Sequence, residues 1–111
     1  MKKYIINYED GAKRDILSII DYIETRYDDA LNAAKVAIRI YRKCESLALF
    51  PKAFPVHREW NTKIDYRAAH IKGYTIIYYV DDEKAAVNIR AVVNSARDID
   101  SLMEQRRGGT N

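Results

Sequence analysis

His57 and His70 are the two side chains in this sequence that can exchange a proton most readily near neutral pH, because an unperturbed imidazole has a pKa of about 6.5. Three arginines, Arg67, Arg90 and Arg97, could hold or stabilise a negatively charged group. An arginine is a poor proton carrier, since its pKa lies far above neutrality. The residues therefore offer acid–base chemistry at the histidines and anion binding at the arginines.

The single cysteine, Cys44, is the remaining candidate for chemistry. It falls on an apolar helical stripe, where a thiol is usually a core residue rather than a nucleophile. One cysteine cannot form an internal disulfide, which fits a reducing compartment, so we predict a cytoplasmic protein. We expect neither a metal site nor a cofactor.

The composition is that of one folded domain. The 111 residues are 48% hydrophobic and 32% charged, and a chain of this length has room for a single core. We assign residues 1–111 to one domain with a tail that frays from about residue 107. The longest apolar runs are too short to span a membrane. The net charge of +3 permits a nucleic-acid or acidic protein partner without requiring one.

The elements that must position these residues begin with a short β-prone run at residues 4–8. Asp10 is the predicted cap of a first helix, whose apolar positions recur at helical spacing as far as Tyr27. Asp29 is the predicted cap of a second helix, which ends before Pro51. Because the link between the two helices is short, they are predicted to form an antiparallel hairpin.

A loop and a β-meander follow the helical hairpin. The loop, residues 52–65, contains Trp60, which could be either a plug over the core or an exposed anchor. The order β-α-α-β-β-β predicts an α+β fold, with the helical hairpin packed on one face of a mainly antiparallel four-stranded sheet. The three later strands and a short last helix are predicted at residues 66–71, 74–80, 85–93 and 99–107.

Side chains of the middle strand should alternate between the two faces of the sheet. The even-numbered residues from 74 to 80 should pack on the helices, and the odd-numbered ones should face an open side. Tyr79 belongs to the second set, so it is the tyrosine that we expect to contact a target.

Four local patterns run along the chain in a fixed order. They are Ala12-x-x-Asp15-Ile16-x-x-Ile19-x-x-Tyr22-Ile23, then Leu47-x-x-Phe50-Pro51, then Tyr66-Arg67 followed by Gly73-Tyr74-Thr75-Ile76-Ile77-Tyr78-Tyr79-Val80, and finally Val92-Val93-Asn94-Ser95-Ala96-Arg97-Asp98. Together they resemble the RelE/ParE toxin superfamily over nearly the whole chain. The resemblance implies the toxin of a type II toxin–antitoxin system, which inhibits bacterial growth, serves plasmid stabilisation and is neutralised by a cognate antitoxin protein.

The departures from the superfamily pattern distinguish its branches. ParE relatives often have a histidine where Asn94 stands. RelE nucleases, which cut messenger RNA on the ribosome, typically have reactive or basic side chains at positions that are Ala68, Ala69, Thr75 and Leu102 or Met103 here. Cleavage at a 2′-hydroxyl needs one group to take its proton, one to stabilise the phosphorane and one to protonate the leaving oxygen. Most of that set is missing, so the resemblance favours a ParE-like inhibitor of DNA gyrase that is not itself an enzyme.

Two alternatives stay open. In a ribosome-dependent mRNA endonuclease, the catalytic residues would be Arg67, Arg90 and Arg97. In a corepressor, the chain would act mainly as the partner of a DNA-binding antitoxin and would reach operator DNA only through it.

The candidate binding residues follow from the resemblance and from the charge pattern. Lys35, Arg39 and Arg42 fall on one helical face and could meet an acidic antitoxin segment. Arg97-Asp98 could instead be an ion pair or a helix cap, and His70 either a hydrogen-bonded strand residue or a catalyst. The residues expected to bind the target are Arg67, Tyr79, Arg90, Arg97, Arg106 and Arg107.

Overall fold

The computed structural model describes residues 2–109, and side chains as far as Arg106. Its elements are β1 (Ile5–Tyr8), α1 (Asp10–Tyr27), α2 (Ala30–Ser46), β2 (Arg67–Ile71), β3 (Tyr74–Asp81), β4 (Ala86–Asn94) and α3 (Ile99–Gly109). The predicted β-α-α-β-β-β order and the last helix are confirmed. The Arg107 side chain and the end of the predicted frayed tail, residues 110–111, lie outside the described residues.

The four strands form one sheet in the order β1-β4-β3-β2. The pairs β2–β3 and β3–β4 are antiparallel, and β1 pairs with β4 in parallel, with Ile5 opposite Ala86. The predicted α+β sheet is therefore mixed rather than purely antiparallel. The β3–β4 register shifts next to Ile77, which pairs with Ala91, while Tyr78 pairs with Ile89. Arg90 is thus left without a partner, as in a β-bulge.

The helical hairpin packs on one face of the sheet, as predicted. Asp29 caps α2, since its carboxylate accepts the Asn32 backbone N–H at 2.9 Å. At α1 the prediction is wrong by one residue, because Glu9 and not Asp10 is the N-cap, and the Glu9 side chain makes no cap hydrogen bond. Tyr27, expected on the packed stripe of α1, is 64% exposed. The first core lies between the helical hairpin and the sheet. It contains Ala12, Ile16, Ile23, Ala33, Val36, Ile40, Cys44, Leu47, Ala69, Ile76, Tyr78, Val87, Ile89 and Val92.

The second face of the sheet is not open, which corrects the prediction made for the odd-numbered residues of β3. The loop before β2 and helix α3 cover it, because the strands present apolar side chains on both faces and each face needs a covering layer. Trp60 is 5% exposed and Met103 is 2% exposed on this side. The second core contains Trp60, Tyr66, Ala68, Ile77, Ala91, Val93 and Met103. No described helix is both long enough and apolar enough to cross a membrane.

Candidate functional site

Arg90 is the centre of a cluster of charged and aromatic side chains on the second face. The β-bulge in β4 places it there, since a bulge redirects the side chain of the extra residue. Its Nη1 atom lies 3.4 Å from the Glu9 carboxylate, and the two side chains are 22% and 23% exposed. The Arg90 Nε atom is buried and has no hydrogen-bond partner among the described residues. The arginine is therefore held by one acid and keeps one donor unused.

Tyr79 joins the same cluster from β3. Its hydroxyl donates to the Glu9 carboxylate at 2.5 Å, and its ring meets the Tyr66 ring edge-on at 5.7 Å. Burial and then the Glu9 carboxylate raise the pKa of Tyr79, because both disfavour a phenolate. Tyr79 is thus a neutral hydrogen-bond donor, and it holds the carboxylate of Glu9, the N-cap residue of α1.

Asp15 makes a second, adjacent anchor. β1 ends at Tyr8, so the edge of β4 beyond Ile89 has no strand beside it. Asp15 from α1 fills that place, since its carboxylate accepts the Val92 backbone N–H at 3.0 Å. The other carboxylate oxygen accepts from Arg106 of α3 at 2.7 Å. One side chain therefore links α1, the edge of the sheet and the last helix.

These anchors lie along an open cleft of about 790 Å³ at the start of α1. A smaller cavity of about 190 Å³, walled by aromatic residues that include Trp60, shares Glu9, Arg90 and Arg106 with the cleft. The structure thus brings together Tyr79, Arg90 and Arg106 of the predicted target-binding set. Sequence reasoning missed Glu9 and Asp15, since nothing local marks an acid whose partner lies 81 residues away.

Arg67 lies apart from this cluster. Its guanidinium donates to the Phe54 carbonyl oxygen at 2.5 Å and approaches that of Lys52 at 3.4 Å. Beside it, the Tyr78 hydroxyl donates to the Pro51 carbonyl oxygen at 2.8 Å. Burial raises the pKa of Tyr78 to about 12, although the Arg67 charge opposes the shift. The structure gives Arg67 a clear role in fastening the segment that follows α2 to the sheet.

Arg97 follows the C-terminal end of β4. It lines a groove of about 800 Å³ between the helical hairpin and the β3–β4 end of the sheet, together with Arg39 and Lys72. No ion pair joins Arg97 to Asp98 among the described residues. Asp98 instead caps α3, where it accepts the Ser101 hydroxyl at 2.8 Å and the Ser101 N–H at 3.2 Å, and these bonds lower the Asp98 pKa.

Of the positions at which the nuclease branch has reactive side chains, Ala68, Ala69, Thr75 and Met103 are buried here and Leu102 is half-buried. Thr75 is 0% exposed, and its hydroxyl is bonded to His70 Nδ1 at 3.0 Å and to the Ser95 hydroxyl at 2.9 Å. Ala68 and Met103 are packed in the second core. His70 is therefore a hydrogen-bonded strand residue.

His57, the other histidine, packs against Trp60. The His57 ring stacks on the indole at 4.1 Å, and the indole N–H donates to Asp100 of α3 at 2.5 Å. Of the two interpretations of Trp60, the plug over the core is confirmed. Neither histidine lines the cleft beside Arg90. Within residues 2–109, no group of three or more His, Cys, Asp and Glu side chains could hold a metal ion.

The sequence also matches the model of a known protein family. Residues 6–99 match the family model described as the ParE toxin of the type II toxin–antitoxin system parDE. No curated protein matches the chain.

Solved structures share the fold. A chain of the toxin–antitoxin complex RelBE2 from Mycobacterium tuberculosis is 20% identical with a TM-score of 0.65, covering 87% of this chain and 97% of that one. The isolated RelE toxin of E. coli is 18% identical with a TM-score of 0.61, covering 93% and 97%. A mutant of E. coli RelE in the free state is 15% identical with a TM-score of 0.62, covering 95% and 97%.

Proposed function

The chain belongs to the ParE toxin family of type II toxin–antitoxin systems, and on that premise we propose that it arrests bacterial growth by inhibiting DNA gyrase. A cognate antitoxin protein would hold it inactive, and both encounters would take place in the cytoplasm. The inhibition would be a matter of binding, with no bond made or broken by the toxin.

One observation carries this proposal: no proton-transfer group stands where the nuclease branch has its reactive side chains. Thr75 of β3 and Met103 of α3 are 0% and 2% exposed, so neither can reach a substrate unless the packing around it opens. The arginines could stabilise a phosphorane but could not take the 2′-hydroxyl proton. Binding a large protein target needs only a surface of complementary shape and charge, and the chain offers an open cleft and an exposed arginine, Arg97.

The residues proposed to contact the target fall into two groups. Arg97 is exposed, and its guanidinium has no partner among the described side chains, so it can bind directly. Arg90, Arg106 and Tyr79 are tied to acids, so we propose that they shape the cleft and contact the target through its rim. Arg67 and Arg107 complete the proposed set, with Arg67 acting through the segment it fastens.

The test compares two activities of the purified toxin. We expect inhibition of gyrase supercoiling of plasmid DNA and intact messenger RNA on translating ribosomes. Arg97→Ala should weaken the inhibition by about ten- to a hundredfold, because a lost charged contact is worth about 1.5–3 kcal/mol when it is desolvated. Arg58→Ala is the matched control, since Arg58 is an exposed loop arginine paired only with Asp65. Cleavage at ribosomal A-site codons, abolished by Arg97→Ala, would refute the proposal and favour the nuclease.

A further inference from the structure

The outer face of α2 has an apolar stripe that the fold leaves largely uncovered. Leu31, Ile38 and Tyr41 are 68%, 49% and 43% exposed. Ala34, which is also exposed, lies between them. These positions have the spacing of the a and d residues of a heptad, so they form one line on the helix surface. The line is about 15 Å long, and the Tyr41 ring near its end contacts the Tyr8 ring, with the centroids 5.5 Å apart.

Three cations flank this stripe on one side. Lys35, Arg39 and Arg42 are all exposed, and none of them forms an ion pair with a described residue. The first turn of α2 has no acidic residue. The one acidic residue of α2 is Glu45, and its carboxylate already accepts a hydrogen bond from the Tyr8 hydroxyl at 2.7 Å. The face is therefore apolar along its middle and positive along one edge, with no internal compensation.

We propose that this face of α2 is the docking surface for an acidic amphipathic helix of the antitoxin, an inference that rests on the proposed function. About three turns of partner helix would cover the stripe, with apolar residues at heptad spacing against Leu31 and Ile38. Aspartates or glutamates along its edge would meet the three cations. A second copy of this chain is a poor occupant, because two such faces would bring the unpaired cations together.

The experiment separates toxicity from neutralisation. The chain is expressed with and without the polypeptide encoded by the adjacent reading frame, and growth is followed. Leu31→Ser/Ile38→Ser removes the apolar anchors, and Lys35→Glu/Arg42→Glu reverses the charge. Leu17→Ser is the matched control for the first, because Leu17 is an equally exposed leucine, at 66%, on α1. Lys84→Glu, in the exposed turn between β3 and β4, is the control for the second.

The wild-type chain and all four variants should arrest growth when expressed alone. The neighbouring polypeptide should rescue cells that express the wild-type chain or either control. It should fail with both α2 variants, whose affinity, measured by titration calorimetry with the purified polypeptide, should fall by about tenfold or more. Raising the salt concentration should weaken wild-type binding more than that of the charge-reversed variant.

Three results would overturn parts of this account in different ways. If the Leu31→Ser/Ile38→Ser variant binds the neighbouring polypeptide as tightly as the wild-type chain does and is rescued by it, the α2 docking surface is eliminated. The toxin function would still stand. A chain that binds its neighbour through α2 but never arrests growth would refute the proposed function and retain the surface. A dimer in light scattering that becomes a monomer on Leu31→Ser/Ile38→Ser would assign the face to a second copy instead.

Discussion

Substituting Asp15 tests whether one carboxylate holds three elements together. The side chain is 16% exposed, and that of its partner Arg106 is 26% exposed, so solvent screens their interaction only partly. Asp15→Ala removes this ion pair and also leaves the Val92 N–H without its acceptor. An unsatisfied buried donor costs about 1–3 kcal/mol, and a hydrogen bond to a charged group contributes about 1.5–3 kcal/mol.

We therefore expect Asp15→Ala to lower the free energy of unfolding by about 3 kcal/mol, which for a domain of this size lowers Tm by roughly 10 °C. Asp15→Asn is the informative comparison, because its amide oxygen can still accept from Val92 while its charge is lost. It should cost about 1 kcal/mol, similar to Arg106→Gln. Urea unfolding followed by circular dichroism measures all three variants.

Amide hydrogen exchange adds a local readout. The Val92 amide should exchange faster in Asp15→Ala than in Asp15→Asn, since only the first lacks an acceptor. If the two Asp15 variants are equally stable and protect Val92 equally, the carboxylate does not support the edge of β4, and the reasoning is wrong.

Three further predictions follow from the cores and the loop. Ile77→Ala should lower the free energy of unfolding by about 2–5 kcal/mol, as much as Ile40→Ala in the first core. A loss below about 1 kcal/mol in chemical denaturation would mean that the second face of the sheet is open after all. Trp60→Phe should cost about 1–2 kcal/mol, because the indole hydrogen bond to Asp100 is lost while a smaller aromatic ring remains in the core; an unchanged urea midpoint would contradict that role. Burial raises the pKa of Cys44 to about 12 from 9.0, so the native thiol stays neutral at pH 8 and should resist iodoacetamide until urea unfolds the chain. Since the thiol is deprotonated more readily when unfolded, its contribution to stability is complete below pH 9 and is lost as pH rises towards 12, and Cys44→Ala should flatten that alkaline decline.

The element order and the first core could be predicted because they depend on local periodicity. The apolar residues of α1 and α2 recur at helical spacing, so each helix identifies its own packed face, whereas β3 is apolar on both of its faces. The second core could not be predicted in this way. The loop around Trp60 has no period, and α3 is short, so nothing local indicates that the two cover a sheet.

The charged cluster was only half predictable for a related reason. Arg90 is a visible candidate as an arginine in a strand, but its orientation depends on a one-residue shift in the register of two strands. Glu9 and Asp15 are ordinary acids at and near the start of an amphipathic helix. Their roles come from partners on β4 and α3, and no alternation or spacing within α1 reports contacts over that distance.

The parallel pairing of β1 with β4 has a consequence for how the protein is made. The strand at residues 5–8 has to wait for its partner at residues 86–89, so the sheet cannot be completed until β4 has left the ribosome. Closing so long a loop costs entropy before any pairing repays it, and folds rich in such contacts form slowly. Until then, the nascent helical hairpin has an apolar side with no sheet to cover it, a form prone to aggregation or to capture by chaperones. A truncated chain that ends before β4 should accordingly remain unfolded, and the fold, with any activity it supports, arises only after β4 has been synthesised.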